Sequence, residues 1–301
     1  MHSGILLIDK PAGITSAGVV GRVKRVLGAE RVGHAGTLDP DATGLLVVLV
    51  NGATRVASYA ADGAKRYSGA MRLGVTTSTD DLAGEVLETC DTIPSFEKVV
   101  EVSKRFMGAI KQVPPRVSSV KIQGQRAHKL TREGQTFELE AREVTVSRFD
   151  IVRISESSFG YVVECSPGTY VRSLARDIGE VLGCGGAVES IRRERSGPLS
   201  VEGAISLEQV SWGHLQDWSL LIPHIPRIEI CEEMAAAILT GHQLTLKRVA
   251  ELAEVAALPR YSVFAYASKG ERETLGLLKI SPSGELSVAL NVGRYPGQKL
   301  S

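Results

Sequence analysis

The segment GHAGTLDPDATG, residues 33–44, is followed by the apolar run LLVVLV, residues 45–50. The first segment contains three glycines, a proline and few large apolar side chains, which predicts a loop. The second is short, apolar and rich in valine, which predicts a buried strand. Because catalytic residues are often carried by structured loops that a rigid element holds in place, this segment is the first candidate for a functional site.

Strands and helices alternate irregularly on either side of this segment. Apolar runs predict strands at residues 4–8, 66–73, 144–154 and 161–165, and helical spacing predicts helices at residues 19–27, 97–107 and 171–182. Thr15 or Ser16 can cap the first helix, and Gly28 ends it. Since the elements follow no regular βαβ order, we expect an α+β fold with a largely antiparallel sheet.

The chain has 301 residues, which is more than one domain usually contains. The run LIPHIP, residues 221–226, has the composition of a short linker. We therefore expect a main domain over residues 1–222 and a small mixed domain over residues 223–301. In the small domain, the pattern predicts helices at residues 232–239 and 247–257, and strands around Val263 and at residues 275–280 and 286–290.

The composition is that of an ordinary globular protein, with 43% hydrophobic and 23% charged residues. Near the N-terminus the apolar stretch covers only residues 5–8, which is too short for a secretion signal or a membrane span. We expect a cytoplasmic protein without membrane contact. The four cysteines are widely spaced and have no histidines at ligand spacing, so neither a disulfide framework nor a metal site is expected.

The net charge of +1 says little about partners, but the positions of the charges say more. Between Glu101 and Glu133 the chain has eight basic residues and no acidic one. This basic segment can attract phosphate groups, as can the shorter basic runs at residues 22–25 and 192–195. From charge alone, a solvated basic surface is an equally good interpretation.

Asp39 is the first candidate for catalysis. An aspartate before a proline is commonly a turn former, and Asp39 precedes Pro40. However, the small residues around it would let a bulky substrate approach the backbone, and His34 and Thr37 add polar groups to the same segment. Asp41 is the rival carboxylate.

Two further side chains could belong to the same site. Arg172 stands near the start of a predicted helix, where its guanidinium could hold a carboxylate ionised; a surface salt bridge with Asp177 or Glu180 is the alternative. Tyr67 follows two cations at the start of a predicted strand. It could stack on a nucleobase, although packing in the strand is the commoner role of a tyrosine.

Taken together, these segments resemble the motifs of the bacterial TruB-type pseudouridine synthases. The opening motif is matched by IDKPAGITS from Ile8, the catalytic loop by GHAGTLDPDATGLL from Gly33, the tyrosine motif by KRYSGAMRLG from Lys65, and the arginine motif by GTYVRSLARDIGEVLG from Gly168. The resemblance covers about residues 4–210. It implies the pseudouridine synthase fold, a largely antiparallel mixed sheet with flanking helices, followed by a small PUA-like RNA-binding domain.

The resemblance also implies a role for each matching residue. Asp39 is the essential carboxylate and Asp41 a bystander, while Arg172 pairs with Asp39 and Tyr67 stacks on the target uracil. His34 contacts the RNA, Tyr170 and Ile191 line the uridine pocket, and Lys10 and Pro11 support the catalytic loop.

The implied reaction is the isomerisation of uridine 55 in the T-loop of tRNA to pseudouridine. Substrate and product are isomers, so no cofactor is expected. The implied partner is tRNA, bound by a monomer that needs no obligate protein partner. Whether the intermediate is a covalent sugar adduct of Asp39 or a glycal stays open.

The chain departs from the family pattern at a few positions. The family usually has an aromatic residue where Val117 stands, alanine for Ser119, tyrosine for His128 and aspartate for Ser78. Residues 245–260 resemble an inserted helix. These departures concern RNA contacts and the small domain rather than the predicted catalytic set.

Three other functions are compatible with parts of the sequence. A non-catalytic RNA-folding protein would keep the basic segment, but Asp39, Tyr67 and Arg172 are all present. A glycoside hydrolase needs two carboxylates on opposite sides of the bond, which two aspartates two positions apart seldom provide. A synthase directed by guide RNA and protein partners is less expected, because the chain has no long lysine-rich tail.

Overall fold

The computed structural model describes residues 2–60, 63–118, 121–122, 125–126, 130, 137–231, 263–268, 274–280 and 286–292. The helices predicted at residues 232–239 and 247–257, the inserted segment 245–260, Ser119 and His128 lie outside the described residues. The chain divides into two compact units. The first unit is Met1–Pro40, Leu45–Ala61 and Pro198–Ser301, and the second unit is Asp41–Gly44 and Asp62–Gly197. The expected domain boundary at residue 222 stays a prediction.

The described strands and helices follow the order of the chain. The strands are β1 Gly4–Lys10, β2 Val32–Ala35, β3 Thr43–Val50, β4 Lys65–Leu73, β5 Val75–Thr77, β6 Val86–Thr89, β7 Gly108–Gln112, β8 Lys121–Ile122, β9 Gln125–Arg126, β10 Arg142–Arg153, β11 Ser158–Cys165, β12 Gly186–Ser196, β13 Leu199–Ser200, β14 Arg227–Ile230, β15 Val263–Ser268, β16 Gly276–Ile280 and β17 Leu286–Asn291. The α-helices are α1 Ser16–Leu27, α2 Phe96–Ser103 and α3 Val171–Leu182. Short 3-10 helices cover Asn51–Ser58, Lys104–Phe106, Val201–Gly203, Leu207–Gln209, Trp212–His214 and Trp218–Leu221. None of the described helices is long and apolar enough to cross a membrane.

In the first unit, β3 is the central strand of the core. It is hydrogen-bonded to β1 and pairs antiparallel with β2, with His34 opposite Val48. The apolar run of β3 is buried along its length, as the sequence predicts. Residues 33–44 were expected to be loop; that prediction is wrong at residues 33–35 and 43–44, because pairing with β3 and with β12 makes them strand despite their small side chains. The loop after β2 therefore covers residues 36–42.

The strands near the C-terminus form a separate four-stranded sheet in the order β14-β15-β16-β17. They confirm the strands predicted from residue 263 onward. Trp218 is fully buried, and its indole Nε1 donates to the carbonyl of Thr274 at 2.9 Å. The neighbouring carboxylate of Asp217 accepts from the amide of Thr274 at 2.9 Å. These bonds attach the segment before β16 to the core of the first unit.

The second unit is built on a sheet in the order β12-β4-β11-β10-β7, in which all neighbours are antiparallel. The first two residues of β3, Thr43 and Gly44, pair in parallel with Arg192 and Arg193 of β12. Side chains from α2 and α3 join the apolar side chains of these strands in one core cluster. The predicted α+β class with a largely antiparallel mixed sheet and flanking helices is confirmed.

The ends of α1 have the caps that the sequence predicts, and α3 also ends at a glycine. Thr15 precedes α1, and its Oγ1 accepts from the amide of Gly18 at 2.9 Å. Gly28 ends α1 with a φ of 59°, and Gly183 ends α3 with a φ of 74°, both in the left-handed region that glycine tolerates best. These caps fix both ends of α1 and the C-terminal end of α3.

Gly44 is required where β3 meets β12. Its φ is 94°, and a Cβ built on it would lie 2.8 Å from the amide nitrogen of Arg193 and closer still to its carbonyl oxygen. Any side chain would therefore force β3 away from β12. Gly21 offers the contrast, because it lies in α1 and a Cβ there would meet nothing within 4 Å.

We predict that Gly44→Ala lowers the free energy of unfolding by about 2 kcal/mol or more, through backbone strain and the collision with Arg193. Gly21→Ala should raise it by up to about 1 kcal/mol, because alanine is the better helix former. Urea unfolding of both variants beside the wild type measures the two effects. Equal stability of Gly44→Ala and the wild type would show that β3 is not held against β12 in this way.

Candidate functional site

Asp39 lies in the loop of residues 36–42, half-buried, between two anchored neighbours. Leu38 on one side is bonded to Ser16, and Pro40 on the other is bonded to Lys10 and Gly13. All of these residues belong to the first unit. The aspartate is thus presented by a backbone that is fixed immediately before and after it.

The hydroxyl of Ser16 binds both backbone groups of Leu38. Ser16 Oγ accepts from the amide of Leu38 at 2.9 Å and donates to its carbonyl at 2.9 Å. Ser16 is 3% exposed and Leu38 5%, so these bonds are shielded from water. A serine hydroxyl has one proton to donate, and here it is used on the residue that precedes Asp39.

The ammonium of Lys10 anchors the other side. Lys10 is 0% exposed, and its Nζ donates to the carbonyls of Pro11, Ile14 and Pro40 at 2.9, 2.8 and 2.8 Å. An ammonium carries three protons, and burying it is costly unless they are hydrogen-bonded. The amide of Gly13 also donates to the carbonyl of Pro40, at 3.0 Å. This is the arrangement that the predicted supporting role of Lys10 and Pro11 requires; the role itself stays a prediction.

His34 also lies in the first unit, half-buried in β2. Its backbone pairs with that of Val48 in β3, and His34 itself lies two positions before the loop begins. The position of the imidazole is therefore tied to the same strand that the loop leads into.

In the second unit, the structure brings Tyr67 and Ile191 together. Tyr67 of β4 stands opposite Arg193 of β12, and Ile191 of β12 stands opposite Gly69 of β4. Tyr67 and Ile191 are therefore diagonal neighbours on one face of the sheet, within reach of each other's side chains. Both are partly buried against the core cluster of this unit. Thr43 Oγ1 donates to the carbonyl of Ile191 at 3.4 Å.

Tyr161 is a residue of this site that the sequence analysis did not single out. It is 4% exposed, and its hydroxyl donates to the carbonyl of Ser190 at 2.8 Å. A Cβ at Gly69 would lie 2.6 Å from that hydroxyl, so the glycine makes room for the bond. Burial raises the pKa of Tyr161, and the neighbouring Tyr67 raises it further. Tyr161 therefore keeps its proton and holds the bulge of β12 that immediately precedes Ile191.

Tyr170 occupies the N-cap position of α3, and Gln112 holds its backbone on both sides. Gln112 Nε2 donates to the carbonyl of Tyr170 at 3.1 Å, and Gln112 Oε1 accepts from its amide at 2.8 Å. Gln112 is 2% exposed. The predicted start of the helix is confirmed, and its first turn is fixed by a residue 58 positions earlier.

Arg172 is 3% exposed, in the first turn of α3. Its Nη1 donates to the carbonyl of Thr79 at 2.7 Å, its Nη2 donates to the carbonyl of Val117 at 2.9 Å, and Nη1 lies 3.5 Å from Asp81 Oδ2. The alternative of a surface salt bridge is wrong, because the guanidinium is buried. The pairing of Arg172 in the second unit with Asp39 in the first stays a prediction.

The part of the basic segment whose side chains the structure describes is exposed. Lys104, Arg105, Lys111 and Arg116 all face solvent. Arg105 lies 3.4 Å from Glu101. Among the described residues, no group of three or more histidine, cysteine, aspartate or glutamate side chains is placed to hold a metal ion.

The structure adds residues that local sequence patterns could not identify. Asp81 lies beside Arg172, and Asp80 pairs with Arg176 one helical turn later; the sequence signal for the two aspartates is the polar run of residues 76–81. Ser16 was considered as a helix cap, but Thr15 is the cap and Ser16 binds Leu38 in the loop of residues 36–42. The sequence signal for Ser16 was a second hydroxyl residue directly after Thr15.

Two family models match the chain. The model described as TruB family pseudouridylate synthase (N terminal domain) matches residues 24–171, and the one described as tRNA pseudouridylate synthase B C-terminal domain matches residues 172–218. The tRNA pseudouridine synthase B of Thermobifida fusca (strain YX) is 49% identical over 220 residues, covering 70% of this chain and 75% of the relative. That of Mycobacterium sp. (strain KMS) is 40% identical over 290 residues, covering 93% and 97%.

Solved structures share the fold. A chain of the archaeal box H/ACA sRNP Nop10-Cbf5 complex has a TM-score of 0.67 at 25% identity, over 99% of this chain and 89% of the other. A chain of an H/ACA RNP bound to a substrate RNA containing 2'-deoxyuridine has a TM-score of 0.68 at 23% identity, over 97% and 86%. The fold expected from the sequence is confirmed.

We predict that Ser16→Ala lowers the free energy of unfolding by about 2–4 kcal/mol, because it leaves both buried backbone groups of Leu38 without their partner. Thr15→Ala is the matched control, a neighbouring hydroxyl whose loss removes only the helix cap and should cost about 1 kcal/mol. Urea unfolding measures both. If the two variants lose the same stability, Ser16 is not the anchor of the loop.

Proposed function

We propose that this chain, which belongs to the TruB family of pseudouridylate synthases, converts uridine 55 in the T-loop of tRNA to pseudouridine with Asp39 as the catalytic carboxylate. It is a tRNA pseudouridine synthase, an isomerase. The choice of uridine and the roles of the residues are our proposal. The observation that carries them is the anchoring of Leu38 and Pro40 on either side of Asp39.

The reaction exchanges one bond to the ribose for another. The bond from uracil N1 to C1′ breaks, the base turns, and C5 bonds to C1′; N1 gains a proton and C5 loses one to solvent. Atoms and electrons balance without a cofactor. The enzyme has to hold the detached base and keep water away from C1′ until the new bond forms.

A single carboxylate can serve either route to this exchange. The Asp39 carboxylate can attack C1′ to form a sugar ester, as in retaining glycosidases, or it can remove the proton from C2′ to give a glycal. Both routes require the carboxylate to be beside the ribose before the bond breaks. A loop with Leu38 and Pro40 already bonded supplies that placement without further ordering.

The target uridine is stacked in the T-loop, so it has to be flipped out at a cost of a few kcal/mol. We assign Tyr67 to stack on the uracil, and Ile191 and Tyr170 to line its pocket. Their support is that Tyr67 and Ile191 are diagonal neighbours on one sheet face, and that Gln112 fixes the backbone of Tyr170. His34 contacts the RNA beside the flipped nucleotide.

Arg172 is assigned to pair with the carboxylate of Asp39 and keep it ionised. This assignment is supported by the contacts with Thr79, Val117 and Asp81, which hold the guanidinium in one orientation inside the second unit. A buried guanidinium is always charged, so it favours the anionic form of any carboxylate that approaches it.

The exposed cations Lys104, Lys111 and Arg116 are assigned to contact RNA phosphates. Contacts of this kind release counterions and make binding weaken as salt rises. The assigned partner is tRNA, bound by a monomer that needs no protein partner and works in the cytoplasm, where tRNA is found.

We predict that Asp39→Asn lowers the rate of pseudouridine formation in an unmodified tRNA transcript by more than about 10³-fold, as removal of an essential catalytic group does in other enzymes. Asp41→Asn is the matched control and should keep the rate within about twofold. The assay measures tritium released from transcripts labelled at C5 of uridine, since that hydrogen leaves only when C5 bonds to C1′. Both variants should bind tRNA as the wild type does.

The position of the modified uridine is tested with a transcript in which uridine 55 is replaced by cytidine. Wild-type protein should release one equivalent of tritium per normal transcript and none from the replaced one. Binding without any release by the wild type would overturn the proposal and favour the RNA-folding alternative. Release from the replaced transcript would overturn the choice of uridine 55.

We predict that Lys111→Gln and Arg116→Gln each reduce the slope of log K for tRNA against log salt by about 0.7–0.9, the value for one phosphate contact. Arg148→Gln is the control, because Arg148 is an exposed cation that lies outside the basic segment. Its slope should match the wild type. An unchanged slope in the first two variants would contradict the assignment of these cations to phosphates.

A further inference from the structure

We propose that Asp80 and Arg176 are positioning residues for Arg172, which hold the turn of residues 79–81 against α3 so that Arg172 meets its partners. The inference rests on the proposed function, because it presumes that Arg172 acts on Asp39. It adds a second ion pair, one helical turn below the first, to the predicted site.

The turn and the helix are joined at two successive levels. At the upper level, Arg172 donates to the carbonyl of Thr79 at 2.7 Å and lies 3.5 Å from the carboxylate of Asp81. At the lower level, Arg176 Nη1 donates to Asp80 Oδ2 at 2.9 Å. Residues four positions apart face the same side of a helix, so the two arginines contact three consecutive residues of one turn.

The turn needs support because its backbone is unusual. Asp80 has a φ of 60°, in the left-handed region that residues other than glycine rarely adopt. Thr79 Oγ1 donates to Asp81 Oδ1 at 2.7 Å, and the amide of Val188 donates to the carbonyl of Asp80 at 3.0 Å. The ion pair with Arg176 adds the contact that fixes the turn to the helix.

Arg176 also holds the segment that carries the other acceptor of Arg172. Its Nη2 donates to the carbonyl of Val113 at 2.8 Å, and Ser173 Oγ donates to the same carbonyl at 2.9 Å. Val117, four positions later, accepts from Arg172. Loss of Arg176 would therefore loosen the acceptors on both sides of the Arg172 guanidinium.

The ion pair of Asp80 and Arg176 is largely shielded from solvent. The side chains of Arg176 and Asp80 are 27% and 15% exposed. Burial raises the pKa of Asp80, and Arg176 is the strongest influence that opposes it. The carboxylate of Asp177 also lies 2.7 Å from Arg176 Nη2. Neutralising Asp80 leaves the guanidinium of Arg176 paired with Asp177 on its own helix, so the turn loses its ion pair to α3 and no buried charge is left uncompensated.

The test is Asp80→Asn, because asparagine keeps the size of aspartate and also tolerates a positive φ, so that only the charge is lost. The matched control is Asp150→Asn, which removes the carboxylate of an exposed pair with Arg148 on β10. Single-turnover rates with excess enzyme, the Kd for tRNA and the urea midpoint are measured for each. We expect Asp80→Asn to slow the single-turnover rate about tenfold or more, as small misplacements of catalytic groups do. Its Kd and midpoint should stay close to those of the wild type, and Asp150→Asn should change none of the three.

The dependence on Arg172 is tested by repeating Asp80→Asn in an Arg172→Lys background. If Asp80 acts through Arg172, the second substitution adds little to the loss already caused by the first, since groups that act as a unit are not additive. Arg176→Gln should slow the rate at least as much as Asp80→Asn, because it also removes the bond to Val113, and the double variant of the two should be no slower than Arg176→Gln alone. Arg176→Lys, which keeps the charge, should recover part of the rate.

An unchanged rate in Asp80→Asn would overturn the inference. So would an equal fold-loss in both backgrounds, or a loss that appears in Kd or in the urea midpoint instead of the rate. These outcomes are distinct from failure of the proposed function, in which the wild type itself forms no pseudouridine at position 55. If the wild type is active and Asp80→Asn has the same single-turnover rate, only this inference is overturned.

Discussion

The buried ammonium of Lys10 is the constraint on which the geometry around Asp39 depends. Its Nζ binds three carbonyls: that of Pro11 directly after β1, that of Ile14 before α1, and that of Pro40 directly after Asp39. Because a buried ammonium is costly unless its protons are hydrogen-bonded, other arrangements of the loop are disfavoured. Ser16 completes the constraint from the other side through Leu38. The loop contains glycines and other small residues, which favour a flexible backbone. These contacts nevertheless hold Asp39 in one place.

The second unit applies the same principle through α3. The N-cap and first two turns of this helix contain Tyr170, Arg172 and Arg176, and each is bonded to a segment from elsewhere in the chain. Polar groups that are buried and fully hydrogen-bonded are rigid, because leaving any of them unpaired is costly. In the proposed reaction the enzyme has to hold a detached base and a reactive sugar for the time that the base needs to turn. Rigid polar contacts in place before the RNA binds serve that task better than ordering during the reaction.

Much of this architecture could be predicted from the sequence, and the limits have a physical cause. The buried run of β3 and the bounds of α1 and α3 follow from local periodicity and caps, which is why they are confirmed. Asp39 was identified from the small residues of its loop and the motif around it. β2 was missed because its pairing with β3 outweighs the low strand propensity of its residues. The partners of Arg172 were missed because they lie up to 93 positions away, and a distance of that kind leaves no local pattern.

The central claim is that the backbone around Asp39 is fixed before any RNA binds, and amide hydrogen exchange at Leu38 in the protein alone tests it most directly. The account predicts that this amide, bonded to Ser16 Oγ at 2.9 Å, exchanges at least about 10²-fold more slowly than an unstructured peptide. The protection should disappear in Ser16→Ala while the amides of β3 keep theirs. Exchange of Leu38 at the rate of an unstructured peptide in the wild type would contradict the claim, because the loop would then be ordered only by the substrate.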